Sequence, residues 1–345
     1  MNSYISMDSP NAAKRHIDEL MKQMHFRDLA VETWKGKVGT YFRKLFSMVN
    51  LLFKLHKGDM LLIQYPFKKF YVIQCRIAHW KGAKTITLIH DLGTFRRRKL
   101  TAQQEIKRLS HPDALIVHNP SMNQWLKEHG CQVPIVNLDI FDYLSPEQPT
   151  PHQPNATPTI TFAGGISRRK CAFLYQIDEV LNDGQHNCHF DLYGSGLIPG
   201  TDNEWRNSTY HGRIPSDEFI HTTTADWGLV WDGDTIDGCS GIWGSYLRIN
   251  NPHKTSFYLR AGLPVIVWAE SAMASFILNN HLGIAVHSLR ELPEKLNSIT
   301  PETYAQYRQA ALAMKDKLNS GFHFKKSFEQ AMNAIESSPT ASPMS

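Results

Sequence analysis

The stretch LRINNPHKTSFYLRAGLPVIVW, residues 247–268, contains the start of a helix, its end and the strand that follows. Either asparagine of the pair before Pro252 is suited to cap a helix, and proline is suited to its first position. Gly262, with a proline two residues later, would end the helix. The stretch therefore predicts a helix over residues 252–261 that leads into a buried strand at 265–268.

The same alternation of short apolar runs and amphipathic stretches continues through the rest of the chain. Strands are predicted at Met60–Gln64, Thr85–Ile89, Ala114–Val117, Thr159–Phe162, His189–Tyr193, Gly228–Trp231 and Val265–Trp268. Further helices are predicted at Ala12–Met24, Phe67–Trp80, Ser121–His129, Phe173–Leu181, Pro215–His221, Met273–Asn280, Pro301–Leu318 and Lys325–Ile335. Strands separated by helices are typical of parallel sheets covered on both faces, so we predict an α/β fold.

A proline-rich segment near the middle of the chain predicts two domains. Residues 144–159, LSPEQPTPHQPNATPT, contain five prolines, which fix φ and remove hydrogen-bond donors, so we expect an extended linker. It would separate two Rossmann-like, doubly wound domains facing a central cleft, at 1–150 and 151–325. Residues 326–345 would form a helix and tail packing back on the N-terminal domain. Ligands of such sheets bind beyond the carboxyl ends of the strands.

Composition argues against several classes of protein. The 345 residues, 42% hydrophobic and 20% charged, are typical of a two-domain globular protein. The 37 basic residues exceed the 32 acidic ones only slightly, which argues against nucleic-acid binding. Five scattered cysteines indicate neither a disulfide framework nor a zinc site. The sequence has no recognisable secretion signal and no membrane-spanning run, so we expect a cytoplasmic protein. It also lacks a P-loop, a G-x-G-x-x-G motif and a G-x-S-x-G motif, which argues against the common NTPases, dehydrogenases and hydrolases, respectively.

The helix predicted to begin at residue 252 carries polar and basic side chains in its first turn. A helix N-terminus presents free N–H groups and a partial positive charge, so a lysine there is unfavourable for the helix alone. An anionic ligand would reverse that cost. We therefore predict a phosphate site formed by Asn251, His253, Lys254 and Thr255. The alternative is a solvated lysine that the helix tolerates.

A second basic segment, AGGISRRK at residues 163–170, follows a predicted strand. Gly164 and Gly165 allow close approach of the backbone to a ligand, and Arg168 and Lys170 supply cationic donors. Facing the lysine of the first stretch, they would form a two-sided diphosphate clamp. The alternative is a glycine-rich turn followed by a solvated, basic helix start.

An acidic loop, DGDTIDGCSGIWGSY at residues 232–246, follows another predicted strand. Asp232, Asp234 and Asp237 could accept hydrogen bonds from ribose or sugar hydroxyls. A divalent metal is a second interpretation of D-x-D, although the other ligands of a calcium loop are missing. An acidic surface turn is the third, above all for Asp237.

In the first half of the chain, the sequence HDLG places two titratable groups at the carboxyl end of a predicted strand. Asp91 could act there as general base toward an acceptor hydroxyl, and His90 is the alternative base. An aspartate that caps the following segment explains the pattern equally well. The RRRK run at residues 96–99 predicts a solvated basic face or a contact with a phospholipid or pyrophosphate-linked acceptor.

These segments also resemble bacterial sugar-nucleotide glycosyltransferases of the GT-B architecture. The resemblance is to the O-antigen β-1,6-galactofuranosyltransferases and, more distantly, to the streptococcal adhesin glucosyltransferases. The residues that carry it are IHD (89–91), HNPSMNQWLKEHG (118–130), IFDYL (140–144), FAGGISRRKCAFLY (162–175), WGLVWDGD (227–234), CSGIWGSYLRINNPHKTSFYL (239–259) and GLPVIVW (262–268).

The resemblance implies an inverting hexosyltransferase that moves galactofuranose from UDP-galactofuranose to a glycan acceptor, expected to be lipid-linked, in O-antigen or other cell-surface polysaccharide synthesis. It implies that Arg168 and Lys254 hold the diphosphate, that Tyr210 lies beside the uracil and that Asp91 is the base. It also implies that no metal or other cofactor is required, and that the enzyme works in the cytoplasm with peripheral contact to the inner membrane.

Other functions remain open. One is a UDP-glucose-dependent glucosyltransferase acting on a glycoprotein or polysaccharide. Another is a non-catalytic protein that binds a nucleotide sugar or an anionic lipid on the same fold. A nucleic-acid binder would show strongly salt-dependent binding, which the nearly balanced charge disfavours.

Overall fold

The computed structural model of the chain describes residues 1–6, 9–32, 36–67, 70–95, 99–177, 188–196 and 208–337. The chain forms two compact units. The N-terminal unit comprises Met1–Asp139 together with the residues from His323 onward, and the C-terminal unit comprises Ile140–Phe322. Both divisions precede the predicted ones, which lie at residues 150 and 325.

The N-terminal unit contains a six-stranded parallel sheet with the order β2-β1-β3-β4-β5-β6. Its strands are β1 (Asn2–Tyr4), β2 (Arg27–Asp28), β3 (Met60–Tyr65), β4 (Lys84–Ile89), β5 (Ala114–Val117) and β6 (Ile135–Asn137). The helices between them are α1 (Ala12–Gln23), α2 (Lys37–Lys54), α3 (Tyr71–Trp80), α4 (Ala102–Leu109) and α5 (Pro120–Glu128). Every residue of β3 and β5 is buried, as expected for strands with both faces covered.

The C-terminal unit contains a second six-stranded parallel sheet, with the order β12-β11-β10-β7-β8-β9. Its strands are β7 (Thr159–Gly165), β8 (His189–Ser195), β9 (Ser208–Gly212), β10 (Trp227–Val230), β11 (Val265–Trp268) and β12 (Gly283–Val286). Its helices are α6 (Arg168–Cys171), α7 (Ser216–Thr222), α8 (Gly241–Tyr246), α9 (His253–Arg260), α10 (Ala274–Asn279), α11 (Leu292–Asn297) and α12 (Pro301–Ser320).

The stretch at residues 247–268 forms the predicted helix and strand, but its predicted cap is wrong. Pro252, with φ −66° and ψ 128°, is the N-cap of α9, and no side chain caps this helix. The extended ψ of Pro252 leaves it just outside the helix, so neither asparagine reaches the capping position. Its carbonyl accepts from the Thr255 N–H at 2.9 Å, which closes the first turn.

The predicted linker has no regular secondary structure, but it is fixed to the C-terminal unit. The buried Arg260 guanidinium donates to the carbonyl oxygens of Ser145, at 2.7 Å, and Glu147. Further along, the Asn155 side chain donates to Asp226 Oδ2 at 2.9 Å. Backbone N–H groups of the segment contribute as well, since Ser145 donates to Asn319 and Asn155 donates to Asp226. Side chains of the C-terminal unit therefore hold the segment along its length.

The last helix, α13 (Phe322–Ser337), contributes to the N-terminal unit. Phe328 lies edge-on to Phe26, with ring centroids 5.1 Å apart. The predicted tail after Ser337 lies outside the described residues. All five cysteines are free and buried. Among the helices of the described chain, none is long and apolar enough to cross a membrane.

Candidate active site

The strand order of the C-terminal sheet changes direction between β7 and β10. Strands β8 and β9 lie on one side of β7, whereas β10, β11 and β12 lie on the other. Ligands of doubly wound sheets bind beyond the carboxyl ends of the strands at such a switch point. The segments that follow β7 and β10, which begin at Ile166 and Trp231, therefore mark the candidate site.

Helix α9 is held close to this point by a contact that needs a glycine. The ring of Tyr258 lies so near Gly228 on β10 that a Cβ there would be 2.3 Å from it. The Tyr258 hydroxyl accepts a hydrogen bond from the Ala163 N–H of β7 at 2.7 Å. This packing places the first turn of α9, and with it Lys254, at the ends of both strands.

Two lysines share one carboxylate at the switch point. The Nζ atoms of Lys254 and Lys170 lie 3.5 and 3.4 Å from Oδ1 of Asp232. Lys254 also lies over the ring of Phe162, with Nζ 3.7 Å from its centroid. Burial lowers the pKa of Lys254, and Asp232 opposes that shift. Two ammonium groups and one carboxylate leave an excess positive charge, which an anionic ligand would balance.

A cavity of about 330 Å³ opens beside Lys254 within the C-terminal unit. Its walls are largely apolar and include five aromatic rings and a few polar groups. They are formed by Tyr143, Ala163, Gly164, Tyr193, Gly194, Ser195, Arg213, Ile214, Ser216, Phe219, His253, Lys254 and Phe257. Ring faces beside a cation suit a ligand that combines a planar ring with an anionic group.

The glycine-rich segment contributes to this cavity through its backbone. Gly164 lines it, and Gly165 forms the exposed end of β7. The neighbouring Gly194 must be glycine because a Cβ there would lie 1.7 Å from the Gly164 carbonyl oxygen. Arg168 is exposed and lies over the ring of Tyr175, 3.9 Å from its centroid, and it does not line the cavity.

The predicted residues of α9 fall into two groups. His253 lines the cavity and stacks on Tyr143, with ring centroids 4.9 Å apart. Thr255 and Asn251 are buried and do not line it. The Thr255 hydroxyl has no hydrogen-bond partner among the described residues. The first turn of α9 thus presents His253 and Lys254 to the cavity.

The other predicted carboxylates lie apart from the cavity lining. Asp234 is exposed, and Asp237 accepts a hydrogen bond from Arg290 Nε at 2.7 Å, as expected for an acidic surface turn. Tyr210 donates to the Gly194 carbonyl at 2.8 Å and packs against the core, and it does not line the cavity. In the described parts of the chain, no three His, Cys, Asp or Glu side chains are placed to hold a metal ion.

The N-terminal unit has its own group of polar residues where β4 ends. His90 is buried, and its Nε2 donates to Gln64 Oε1 at 2.7 Å. His118 Nε2 donates to the Ile89 carbonyl at 3.1 Å, and burial lowers the pKa of His118 to about 4. Asp91 is partly exposed. Of the two predicted bases, the carboxylate is therefore the more accessible to a substrate.

The segment after Asp91 is held by the buried Glu105 of α4. Its carboxylate accepts from the Thr94 N–H at 2.6 Å, from the Thr94 hydroxyl at 2.9 Å and from the Tyr65 hydroxyl. Burial and the nearby Glu105 raise the pKa of Tyr65 well above its usual range. The RRRK run can be followed only at Lys99, because residues 96–98 lie outside the described residues.

Sequence reasoning did not predict Tyr193, Ser195 and Arg213, which line the cavity at or just after the carboxyl ends of strands. Tyr193 and Ser195 lie at the carboxyl end of β8, a predicted strand, so applying the strand-end rule there would have found them. Arg213 follows β9, for which no strand was predicted. The alternating burial of the short β9 gave little apolar signal.

Both halves of the chain match one protein family. Residues 2–140 match the family described as "Glucosyltransferase 3-like, N-terminal domain", and residues 160–331 match "Glucosyltransferase 3-like, C-terminal domain". The beta-1,6-galactofuranosyltransferase WbbI of Escherichia coli (strain K12) is 32% identical over 311 residues, covering 89% of this chain and 88% of the relative. The chain belongs to the glucosyltransferase 3-like family. It is a glycosyltransferase.

A second relative also matches along most of the chain, and solved structures show the fold. Glucosyltransferase 3 of Streptococcus gordonii is 24% identical over 333 residues, or 91% of each chain. The lipopolysaccharide outer core galactosyltransferase WaaB matches with a TM-score of 0.55 and 8% identity, covering 95% of this chain and 98% of that one. The O-GlcNAc transferase of Thermobaculum terrenum matches with a TM-score of 0.60 and 11% identity, covering 97% and 68%. The glucosyltransferase 3-like chain has the GT-B fold.

Proposed function

We propose that this glycosyltransferase transfers galactofuranose from UDP-galactofuranose, with inversion, to a glycan acceptor of cell-surface polysaccharide synthesis. The observation that carries the donor site is the excess positive charge of Lys254, Lys170 and Asp232 beside an aromatic cavity. The 32% identical relative named a beta-1,6-galactofuranosyltransferase supports the choice of sugar. A lipid-linked acceptor is part of the proposal.

In the proposed donor complex, the diphosphate lies against Lys254 and the first turn of α9. Charged hydrogen bonds to phosphate oxygens are about twice as strong as neutral ones, and they strengthen as the leaving diphosphate gains charge. The uracil lies among the rings of the cavity, with Tyr193 rather than Tyr210 as its neighbour. Arg168 remains a proposed further contact from the exposed side.

In the proposed reaction, Asp91 accepts the proton of an acceptor hydroxyl. The hydroxyl oxygen forms a bond to the anomeric carbon from the face opposite UDP, and the bond between that carbon and the diphosphate breaks. Lys254 stabilises the charge that develops on the leaving UDP, so the proposal requires no metal ion. His90 is the weaker candidate because its Nε2 is engaged with Gln64.

The donor site can be tested by titration calorimetry with UDP. We expect UDP affinity to be unchanged by EDTA and to fall about tenfold to a hundredfold in Lys254→Met, since one charged contact is lost. Lys295→Met, on an exposed side chain of α11, is the matched control. Equal UDP affinity in both variants would contradict a role of Lys254 in binding the diphosphate. Loss of UDP binding in EDTA would contradict metal-independent binding.

The sugar can be tested with octyl hexosides as acceptors and mass spectrometry of the products. UDP-galactofuranose, UDP-galactopyranose and UDP-glucose are supplied in separate reactions. We expect the added hexose only with UDP-galactofuranose. If a product formed only with UDP-glucose, UDP-glucose would be the donor instead of UDP-galactofuranose.

A UDP-glucose-dependent glucosyltransferase is the second candidate. The descriptions of the two matching family domains and the 24% identical Streptococcus gordonii relative favour it. A change of a few hydroxyl contacts separates hexoses in one cavity, so the same residues would serve either donor.

A further inference from the structure

Helix α2 presents an apolar face to solvent. Six large apolar side chains, spaced three or four residues apart except for one adjacent pair, are between 37% and 75% exposed. They are Val38, Tyr41, Leu45, Phe46, Val49 and Phe53. This spacing places them on one side of the helix. A surface helix normally turns its polar side outward, so this orientation indicates a binding surface.

The opposite side of α2 is anchored to the N-terminal unit. Ser47, Met48 and Leu51 are buried. The Ser47 hydroxyl accepts from the Val31 N–H at 3.2 Å, and the Asn50 side chain donates to the Leu29 carbonyl at 3.2 Å. These hydrogen bonds fix which side of the helix packs inward, so the exposed apolar face belongs to the folded unit.

The exposed charged side chains at the C-terminal end of α2 are basic. Lys54 and Lys57 are exposed, and residues 36–58 contain five Lys or Arg and no Asp or Glu. The neighbouring helix α3 adds two exposed apolar side chains, Ile73 at 43% and Trp80 at 76% exposure. An apolar face with aromatic residues and flanking cations is typical of helices that lie in the interface of anionic membranes.

We propose that the apolar face of α2 docks on the surface of a membrane that contains anionic lipids. Two copies of the face would bring like charges together. Anionic head groups, in contrast, complement the exposed lysines while the rings enter the acyl boundary. The proposal does not depend on the sugar donor. It deepens the proposed function by placing the chain where a lipid-linked acceptor resides.

The test is cosedimentation of the full chain with vesicles of phosphatidylethanolamine and phosphatidylglycerol, compared with vesicles of phosphatidylcholine alone. We expect binding to the anionic vesicles that weakens as salt is raised. The double variant F46E/F53E should lower the partition coefficient about tenfold or more, because two large apolar side chains no longer enter the membrane. I242E/L278E, on exposed apolar residues of the C-terminal unit, is the matched control and should bind as the unmodified chain does.

Two results would overturn the proposal. One is equal vesicle binding by F46E/F53E and the control. The other is an unmodified chain that fails to bind vesicles but forms an oligomer that F46E/F53E dissociates in sedimentation velocity, which would assign the face to a second copy. UDP affinity, measured on the same samples, should be unchanged in F46E/F53E. That measurement separates failure of membrane docking from failure of the donor site.

Discussion

The two sheets share a parallel six-stranded construction, but different polar groups lie at their strand ends. In the C-terminal unit, Lys254 and Lys170 share a single carboxylate and leave positive charge beside a cavity. In the N-terminal unit, burial lowers the pKa of His118 to about 4, and the neighbouring Asp91 is partly exposed. One site is suited to binding an anion and the other to accepting a proton.

If this division is correct, Asp91→Asn separates turnover from binding. We expect a loss of about 10²- to 10⁴-fold in kcat, the usual contribution of a general base, with UDP affinity unchanged. His90→Gln is the comparison, and its effect on kcat should be much smaller. Product formation by mass spectrometry and calorimetry with UDP measure the two quantities. A larger loss in His90→Gln would exchange the two roles.

A smaller effect is expected for the cavity wall. Tyr193→Ala should weaken UDP binding about tenfold, because stacking of a base on an aromatic ring is lost. Tyr210→Phe, which removes only the hydrogen bond to the Gly194 carbonyl, should leave UDP affinity unchanged. Calorimetry on both variants checks the prediction. A larger loss of UDP affinity in Tyr210→Phe than in Tyr193→Ala would indicate that the uracil lies beside Tyr210.

The pH dependence of UDP binding should be smaller still. Burial lowers the pKa of Lys254 from its ordinary value of 10.5. Only the protonated form attracts phosphate, so affinity should fall as pH rises through the lowered pKa. We expect this fall at a pH below 10.5, and we expect it to be absent in Lys254→Met. The variant controls for titration of UDP itself, and an identical pH profile in both proteins would contradict the prediction.

The smallest effect concerns Thr255, which the sequence placed in the phosphate site. Its buried hydroxyl has no partner among the described residues and does not reach the cavity lining. Thr255→Val should therefore change UDP affinity by less than about twofold. The free energy of unfolding, measured with urea, should be unchanged or slightly higher. A tenfold loss of affinity would show that the hydroxyl contacts the ligand.

Much of the sheet architecture could be predicted from the sequence because buried parallel strands are continuous apolar runs. All of the predicted strands lie within or overlap strands of the structure, such as Ala114–Val117 and Val265–Trp268. The short or half-buried strands β1, β2, β6, β9 and β12 were not predicted because so few residues carry too little apolar pattern. Helices α2, α4, α6, α8 and α11 were also missed.

Strand ends located part of the candidate site, and three-dimensional packing determined the rest. Lys170, Asp232 and Gly164 were predicted from segments that follow strands, and Lys254 was predicted from the first turn of its helix. The structure brings these residues together. Which ring of β8 and β9 faces the cavity depends on strand register, which the sequence does not give. The exposed face of α2 could not be predicted either, because an apolar stripe on a helix ordinarily indicates a buried side.

The five buried thiols provide a separate reporter for each unit. Cys75 and Cys131 belong to the N-terminal unit, whereas Cys171, Cys188 and Cys239 belong to the C-terminal one. Burial raises the pKa of the Cys75 and Cys188 thiols to about 12, so neither forms the thiolate that alkylating reagents require while its surroundings are closed. The alkylation rate of each cysteine therefore measures how often its own unit opens, and UDP should slow that rate only in the unit that binds it.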